Sequence, residues 1–529
     1  MTFLTQRMKP EQDQLMRGWK TVAWVLVTLV AISLIPPVTV GGVTLRRANI
    51  FSDLYAFEER VAEMTAEEPV LFDEAEFAVD LEAVTEQIEA DTTPHEVQIT
   101  YEWLLADEPQ QREPMTIDLR RFASGFTPIE DFSDEGRFAA FCDTLLFAER
   151  TVRVAVLGDS FIEGDILTAD LRERLQAAFG GRGTGFAPMA SPLTAYRRTV
   201  KTQSKGWTSH NVMQHKSVPA PFNEQFFVSG WVCRPSEGAS TRWEMTDYRS
   251  RLDSCSTGRL LFVAPEESHL TLTLNDSLRH ELVVEGAAAV RQAVVRAPEI
   301  RSLEVKVSGG VKTFVGYGAL FESQGVAVDN YSVRSNNGQA IFRTNPSINA
   351  QINTMLGYDL VILQYGLNIM QKGVLQYTSY GRQIEKIIAY VRQCFPSAAV
   401  LVLGVSDRSV KSEEGVETMD AIPYMVDCQR MAARNAGAAF WSTFDAMQAE
   451  GGIAEFVTRG WAAKDYTHIN YAGGRRIAWA LFDAINAEAA KADARNRARI
   501  EAARPIIDSA MQLPVIKVDE PRALSASAE

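Results

Sequence analysis

A chain of 529 residues is too long for one ordinary domain and implies two or three folded units. Its 46% hydrophobic and 23% charged content is that of a globular protein with ample material for a core. The formal net charge of −14 argues against a nucleic-acid partner. Much of that charge is local: Glu58 to Asp91 holds thirteen carboxylates against one arginine, Arg60, the pattern of a solvated stalk or helix face.

Residues 1–20 are polar and carry Arg7, Lys9, Arg17 and Lys20. No charge then appears from Thr21 to Leu45, and Arg46-Arg47 close the segment. Such a run is long enough to span a bilayer, and the basic residues before it favour a cytoplasmic N-terminus. A cleaved signal peptide is the rival, but the small-x-small site is poor and Pro36-Pro37 interrupts the apolar run. Either reading exports the rest of the chain; the expectation is a single-pass inner-membrane anchor over 21–45 with the remainder periplasmic. The acidic stalk follows over 46–95. Val97–Leu105 reads as a strand and Phe138–Phe147 as a helix.

Thr151–Phe186 is the stretch around which the rest is arranged. Val152–Leu157 is a β-branched, apolar run broken only by Arg153, as a buried parallel strand requires. It stops at Gly158-Asp159-Ser160, and a helix follows from about Leu167 to Phe179. From 191 to 324 the texture changes to short alternating runs separated by Gly, Pro, Asn, Asp and Ser, which predicts an inserted β-sandwich. Over 325–490 strands alternate with helices again: Gly325–Val333, Tyr358–Gln364, Tyr380–Phe395, Ala399–Gly404, Pro423–Ala436, Ala439–Phe444 and a closing helix at Ala472–Ala487. That rhythm means a parallel sheet covered on both faces, its first part lying in 96–190. The remainder, 491–529, reads as a helical and then disordered tail.

The five cysteines, Cys142, Cys233, Cys255, Cys394 and Cys428, make no zinc-ligand spacing, so no metal is expected. Cys233 and Cys255 fall in one region and could pair in an oxidising compartment.

Four polar signals mark strand ends or the approach to a helix in the α/β portion: Gly158-Asp159-Ser160-Phe161, Asn337-Gly338, Gly366-Leu367-Asn368 and Asp465-Tyr466-Thr467-His468. A hydrolytic serine needs a base, a group to orient that base, and donors for the oxyanion. Ser160 is the candidate nucleophile. His468 can be its base, with Asp465 curling back to the imidazole Nδ1–H. Oxyanion donors would be the Ser160 N–H, the Gly338 N–H and the Asn368 amide. The competing reading is that Asp465 and His468 merely cap the last helix. Asp165, just beyond the serine, reads as a helix cap rather than a substrate contact. No GxSxG elbow is present, which sets the chain apart from ordinary α/β-hydrolases.

In these four blocks the chain resembles the SGNH (GDSL-type) hydrolase superfamily: Ser160 in GDSF, Gly338 in NNG, Asn368 in GLN, and Asp465 with His468 in DYTH. The resemblance covers roughly 150–190 and 325–490. Ile369 stands where the family has a second acid after the asparagine. The resemblance implies a flavodoxin-like three-layer α/β fold, no cofactor or metal, and ester cleavage through an acyl-serine. The exported layout, with a β-rich module between the first two blocks, is similar to peptidoglycan and polysaccharide O-acetylesterases, in which that module resembles a carbohydrate-binding domain. Trp207, Trp231, Trp243 and Tyr248 would suit sugar stacking, although sandwich cores also consume such residues. The leading expectation is therefore an anchored esterase acting on an acetylated, peptidoglycan-like envelope polysaccharide. The alternatives are an O-acetyltransferase with the same triad and a non-catalytic envelope-binding protein.

Overall fold

The computed structural model describes residues 24, 28, 38–40, 43–45, 79–91, 99–106, 111–119, 126–133, 136–220, 222–412 and 415–511. Strands β1 (Val38–Val40) and β2 (Val43–Leu45) pair as an antiparallel hairpin. The rest of the expected span at 21–45 lies almost wholly outside the described residues. Among the described residues no helix is long and apolar enough to cross a membrane.

Of the acidic segment, helix α1 (Leu81–Asp91) is described, and it is docked rather than solvated as a stalk. Val84 is buried in the core, Gln393 Nε2 donates to the Leu81 carbonyl at 2.7 Å, and Gln87 Nε2 donates to Asn345 Oδ1 at 3.2 Å. Strand β3 (Thr100–Leu104) is followed by β4 (Glu130–Asp131), helix α2 (Arg137–Phe147), β5 (Val152–Gly158) and helix α3 (Thr168–Phe179).

The chain then leaves the α/β unit through β6 (Gly185–Pro188) and builds β7 (Val200–Asn211), β8 (Trp231–Met245), β9 (Cys255–Ala264), β10 (Ser268–Leu274), β11 (Leu278–Val284), β12 (Ala287–Ile300), β13 (Ser302–Ser308) and β14 (Val315–Glu322). These strands form one continuous ten-stranded hydrogen-bonded sheet rather than two separate ones. Two of its strands come from outside 191–324: β6 pairs antiparallel with β14, and β3 pairs parallel with β12. Its own core holds Trp243, Phe262, Leu270, Leu272, Val305 and Phe314. Its other apolar residues, including Leu261, Val263, Val315, Tyr317 and Leu320, belong to the same core as the helices of the α/β unit. The module is thus fused to the α/β unit by a shared interior.

On return the chain forms β15 (Val326–Ser332), helix α4 (Pro346–Leu356), β16 (Tyr358–Gln364), helix α5 (Thr378–Cys394), β17 (Ala399–Leu403), a hairpin of β18 (Ser409–Ser412) and β19 (Gly415–Thr418), helix α6 (Ala421–Asn435), β20 (Ala439–Trp441), two short helices, and helix α7 (Tyr471–Met511). The second sheet runs β15-β5-β16-β17-β20-β4, with the first five strands parallel and β4 antiparallel at the edge. Counted by appearance, the parallel strands lie in the order 2-1-3-4-5, the doubly wound arrangement whose switch point falls between β5 and β16. Alternate residues of β5 feed opposite layers: Val154 and Val156 face α2, α3 and α7, whereas Ala155 and Leu157 face α4 to α6 and the module. The fully buried, apolar strands follow from that double coverage.

Two sequence expectations change here. The closing helix and the helical tail expected after it are one continuous helix to Met511, because the Ala-, Arg- and Glu-rich sequence has no breaker before Pro505. Cys233 and Cys255 are unpaired and separately buried, their thiols donating to the carbonyls of Ala190 and Thr257.

Candidate active site

Each candidate residue is set by a strand end or a loop at the carboxyl edge of the parallel sheet. Ser160 follows β5 directly. The approach of β16 there is so close that a Cβ on Gly158 would lie 3.0 Å from the Gln364 carbonyl oxygen, so a side chain at this position would press on the neighbouring strand. Asn368 follows β16, placing the two on either side of the switch point. His468 and Asp465 come from the loop ahead of α7.

That loop holds its own geometry. His468 Nδ1 lies 2.7 Å from Asp465 Oδ2, while Asp465 Oδ1 accepts the backbone N–H groups of Thr467 and His468, each at 3.0 Å. Burial works against ionisation of Asp465, but these hydrogen bonds from His468 and Thr467 hold its carboxyl below the ordinary carboxylate range. Neither residue caps α7. Asn470 does so, its Oδ1 accepting the N–H groups of Ala472 and Gly473. The pair is therefore free of a helix-capping duty. The His468 side chain is 61% exposed and lines one cleft of about 990 Å³ with Ser160, Asn368, Ser335, Tyr196 and Tyr471.

Gly338 does not belong to that cleft lining. It is buried with φ +100°, and its N–H donates to Asn336 Oδ1 at 2.9 Å. A Cβ there would meet Ile387 Cδ1 at 2.7 Å, so the glycine is needed for packing against α5. Ser335, three positions earlier in the same turn, is exposed at φ +60° and lines the cleft. The glycine of the NNG motif shapes the turn behind the cleft, and Ser335 is the residue of that turn that lines it.

Asn368 is tied more firmly than its block implied. Its Nδ2 donates to Asp159 Oδ2 at 2.8 Å and to the Asn336 carbonyl at 3.0 Å, which commits both amide hydrogens. The carboxylate support missing at Ile369 is thus supplied by Asp159. Burial pushes the Asp159 carboxyl up to about 7, against the Phe161 N–H bond and the nearby His468, which favour its charged form. A raised carboxyl makes the folded state bind the extra proton. Stability is therefore expected to fall as pH rises from the ordinary carboxylate range through about 7, and Asp159→Asn to flatten that fall in urea melts across pH.

Asp165 faces neither substrate nor the N-terminal amides of α3. It is fully buried at φ +66°, accepting from Thr168 Oγ1 and Thr199 Oγ1, each at 2.7 Å, and paired with Arg172 and Arg197. Burial opposes its charge, but the two guanidiniums hold its carboxyl well below the usual range. Its role is to pin the first turn of the module to the helix after the nucleophile. Of the four aromatic residues considered for sugar stacking, Trp243 is wholly buried, Trp207 packs on Phe314, Trp231 is half-buried, and Tyr248 lies edge-on to Tyr471. The exposed ring is Tyr196, at the cleft itself and 63% exposed. Among the described residues no cluster of His, Cys, Asp or Glu is disposed to hold a metal.

No family model and no curated protein matches the chain. Among solved structures, a peptidoglycan O-acetylesterase superposes with a TM-score of 0.54 at 21% identity, over 68% of this chain and 99% of that one. A GDSL-like lipase from Parabacteroides merdae aligns over 32% of this chain and 74% of its own at 13% identity, with a TM-score of 0.23. A family two carbohydrate esterase from Cellvibrio japonicus aligns over 45% and 86% at 7% identity, with a TM-score of 0.18. Of these three, the first is close enough to show a shared fold. The α/β unit with its mixed sheets has an esterase-like architecture.

Proposed function

We infer that the protein is a serine esterase that removes O-acetyl groups from a cell-envelope polysaccharide. The observation that carries this reading is the Asp465–His468 pair, 2.7 Å apart, opening onto the same cleft as Ser160 at the switch point of the sheet. In this mechanism Ser160 Oγ attacks the acetyl carbonyl carbon and its proton passes to His468 Nε2. The oxyanion is met by the Ser160 N–H, with the Asn368 amide joining by exchanging its bond to the Asn336 carbonyl. Collapse expels the sugar oxygen, which takes the proton from His468. Water then attacks the acetyl-serine by the same route and acetate leaves.

The fold shared with a peptidoglycan O-acetylesterase supports this substrate class. An exposed His468 in an open cleft favours water over a sugar hydroxyl as the second acceptor, because a transferase has to keep water out. The charge-free stretch from Thr21 to Leu45 supports an anchored protein with this domain outside the cytoplasm. Acetylated cell-wall fragments incubated with the protein, followed by mass spectrometry of fragments and of the protein, test the reading. Free acetate, with a transient acetyl adduct on Ser160 and no acetylated acceptor when sugar is added, is the expected result. Acetyl groups recovered on the added sugar would establish the transferase instead.

A further inference from the structure

The cleft around Ser160 has a charge opposite to that of the chain. Four arginines line it, Arg197, Arg198, Arg334 and Arg408, against one carboxylate, Glu163. In a protein with 67 acidic and 53 basic side chains, cations would ordinarily find acidic partners. Two of the four do. Arg197 is paired with buried Asp165, and Arg334 is held by Glu163 through two bonds of 2.7 and 2.8 Å.

Arg198 and Arg408 have no carboxylate partner among the described residues. Arg198 is nonetheless fixed: its guanidinium lies 4.0 Å from the centre of the Tyr471 ring and 5.9 Å from that of Tyr248. Stacking of this kind orients the fork of donors while leaving its edge open for a planar anion. It projects from the link between Tyr196 and β7, on the module side. Arg408 comes from the loop after β17, on the sheet side. Solvation alone explains an isolated surface arginine. It does not explain two unpaired ones converging from separate elements on the cleft that holds Ser160 and His468.

We propose that Arg198 and Arg408 bind carboxylates of the substrate, so that the polymer deacetylated here is an anionic, uronate-type glycan rather than a neutral one. This rests on the esterase reading above for its acetyl group, but the recognition is testable without turnover. Arg fits a carboxylate edge-on with two donors, and Tyr196 beside Arg198 offers a ring on which a sugar face can lie. Arg334, already satisfied by Glu163, holds the loop that carries Ser335 and adds to the local potential.

The test uses the full chain carrying Ser160→Ala, so that no ester is consumed. Its binding to an acetylated polyuronate, to the same polymer after carboxyl reduction, and to dextran is measured by calorimetry at two salt concentrations. The expected result is salt-sensitive binding to the polyuronate. Binding should be at least about tenfold weaker to the reduced polymer, and Arg198→Gln and Arg408→Gln should each lose about tenfold on the polyuronate. Unchanged thermal melting of both variants would show that the fold is kept. Arg198→Lys should recover less than half of the loss in log Kd, because it restores the charge but not the stacked fork. Equal binding to the polyuronate and its reduced form, or binding indifferent to both substitutions, overturns the proposal. The wild type, assayed on the same two acetylated polymers, separates the two readings. Acetate released equally from both overturns anion recognition and leaves the esterase standing, whereas salt-sensitive binding with no Ser160-dependent release from any ester overturns the esterase alone.

Discussion

Ser160→Ala is expected to lower acetate release by at least about 10³-fold, to the level left by binding and oxyanion donors alone. The serine Oγ is the atom that accepts the acyl group in this mechanism, and Ser160 lines the same cleft as His468 just beyond the end of a central strand. Among the described residues Ser335 is the one other serine lining the cleft. His468→Ala is expected to cost a comparable factor, and the double variant little more, because residues acting as one unit lose their effect together. Initial rates on an aryl acetate and on acetylated wall fragments, with both single variants and the double, check all of this. A double variant much slower than either single one would mean that the two residues act separately.

Arg153→Met is expected to destabilise the fold by about 3–5 kcal/mol, the cost of leaving buried charge without its partner. Arg153 lies on the nucleophile strand with its guanidinium wholly buried, bonded to Glu322 of β14 and, at 3.1 Å, to Asp329 of β15. Asp329 also accepts the Tyr358 hydroxyl and the Phe186 N–H, each at 2.8 Å, and Arg259 of β9 donates to Glu322 at 2.7 Å. Burial alone would raise the Glu322 carboxyl, but Arg153 and Arg259 bring it down to about 2. A depressed carboxyl gives stability that is present above its unfolded value and is lost as pH falls towards about 2, so the contribution is full at neutral pH. Urea unfolding at neutral pH measures the loss. Adding Glu322→Gln and Asp329→Asn to Arg153→Met should recover part of it by removing the stranded charges. A single variant within about 1 kcal/mol of wild type would mean that water already reaches the network.

The parallel strands were legible in the sequence because burial on both faces calls for nearly continuous apolar runs, as in YDLVILQ. The DYTH loop was legible because an acid three residues before a histidine can reach Nδ1 without tertiary help, and it does so here. What was hidden depends on partners remote in sequence. Strand β7, VKTQSKGWTSHN, has no apolar alternation, since its pairing with β8 is a matter of backbone bonds. Strand β3 was legible as a strand, but not its place as an edge strand borrowed by a module nearly 200 residues later. Arg153 looked like an interruption of an apolar strand, yet it is the residue that ties that strand to the module. Asp159 passed as part of a motif, although its buried carboxyl orients the Asn368 amide from across the switch point. In the NNG turn the glycine drew attention to itself, whereas the residue lining the cleft was Ser335.

The pairing of β6 with β14 has a kinetic consequence. Strands β5 and β15 must join in register, Val152 against Val326 and Gly158 against Ser332, although the whole module separates them. An open loop of that length carries a large closure entropy and slows any parallel pairing. The module removes the obstacle by holding its own entrance to its exit: Gly185 is matched with Phe321, Pro188 with Gly318, and the Ser323 N–H bonds to the Arg182 carbonyl. Once that clasp is made, the nucleophile strand and its neighbour are joined by what is in effect a short connector. Maturation of the α/β unit is then gated by the module, and pulse-labelled hydrogen exchange should find amides of β9 and β14 protected before those of β15.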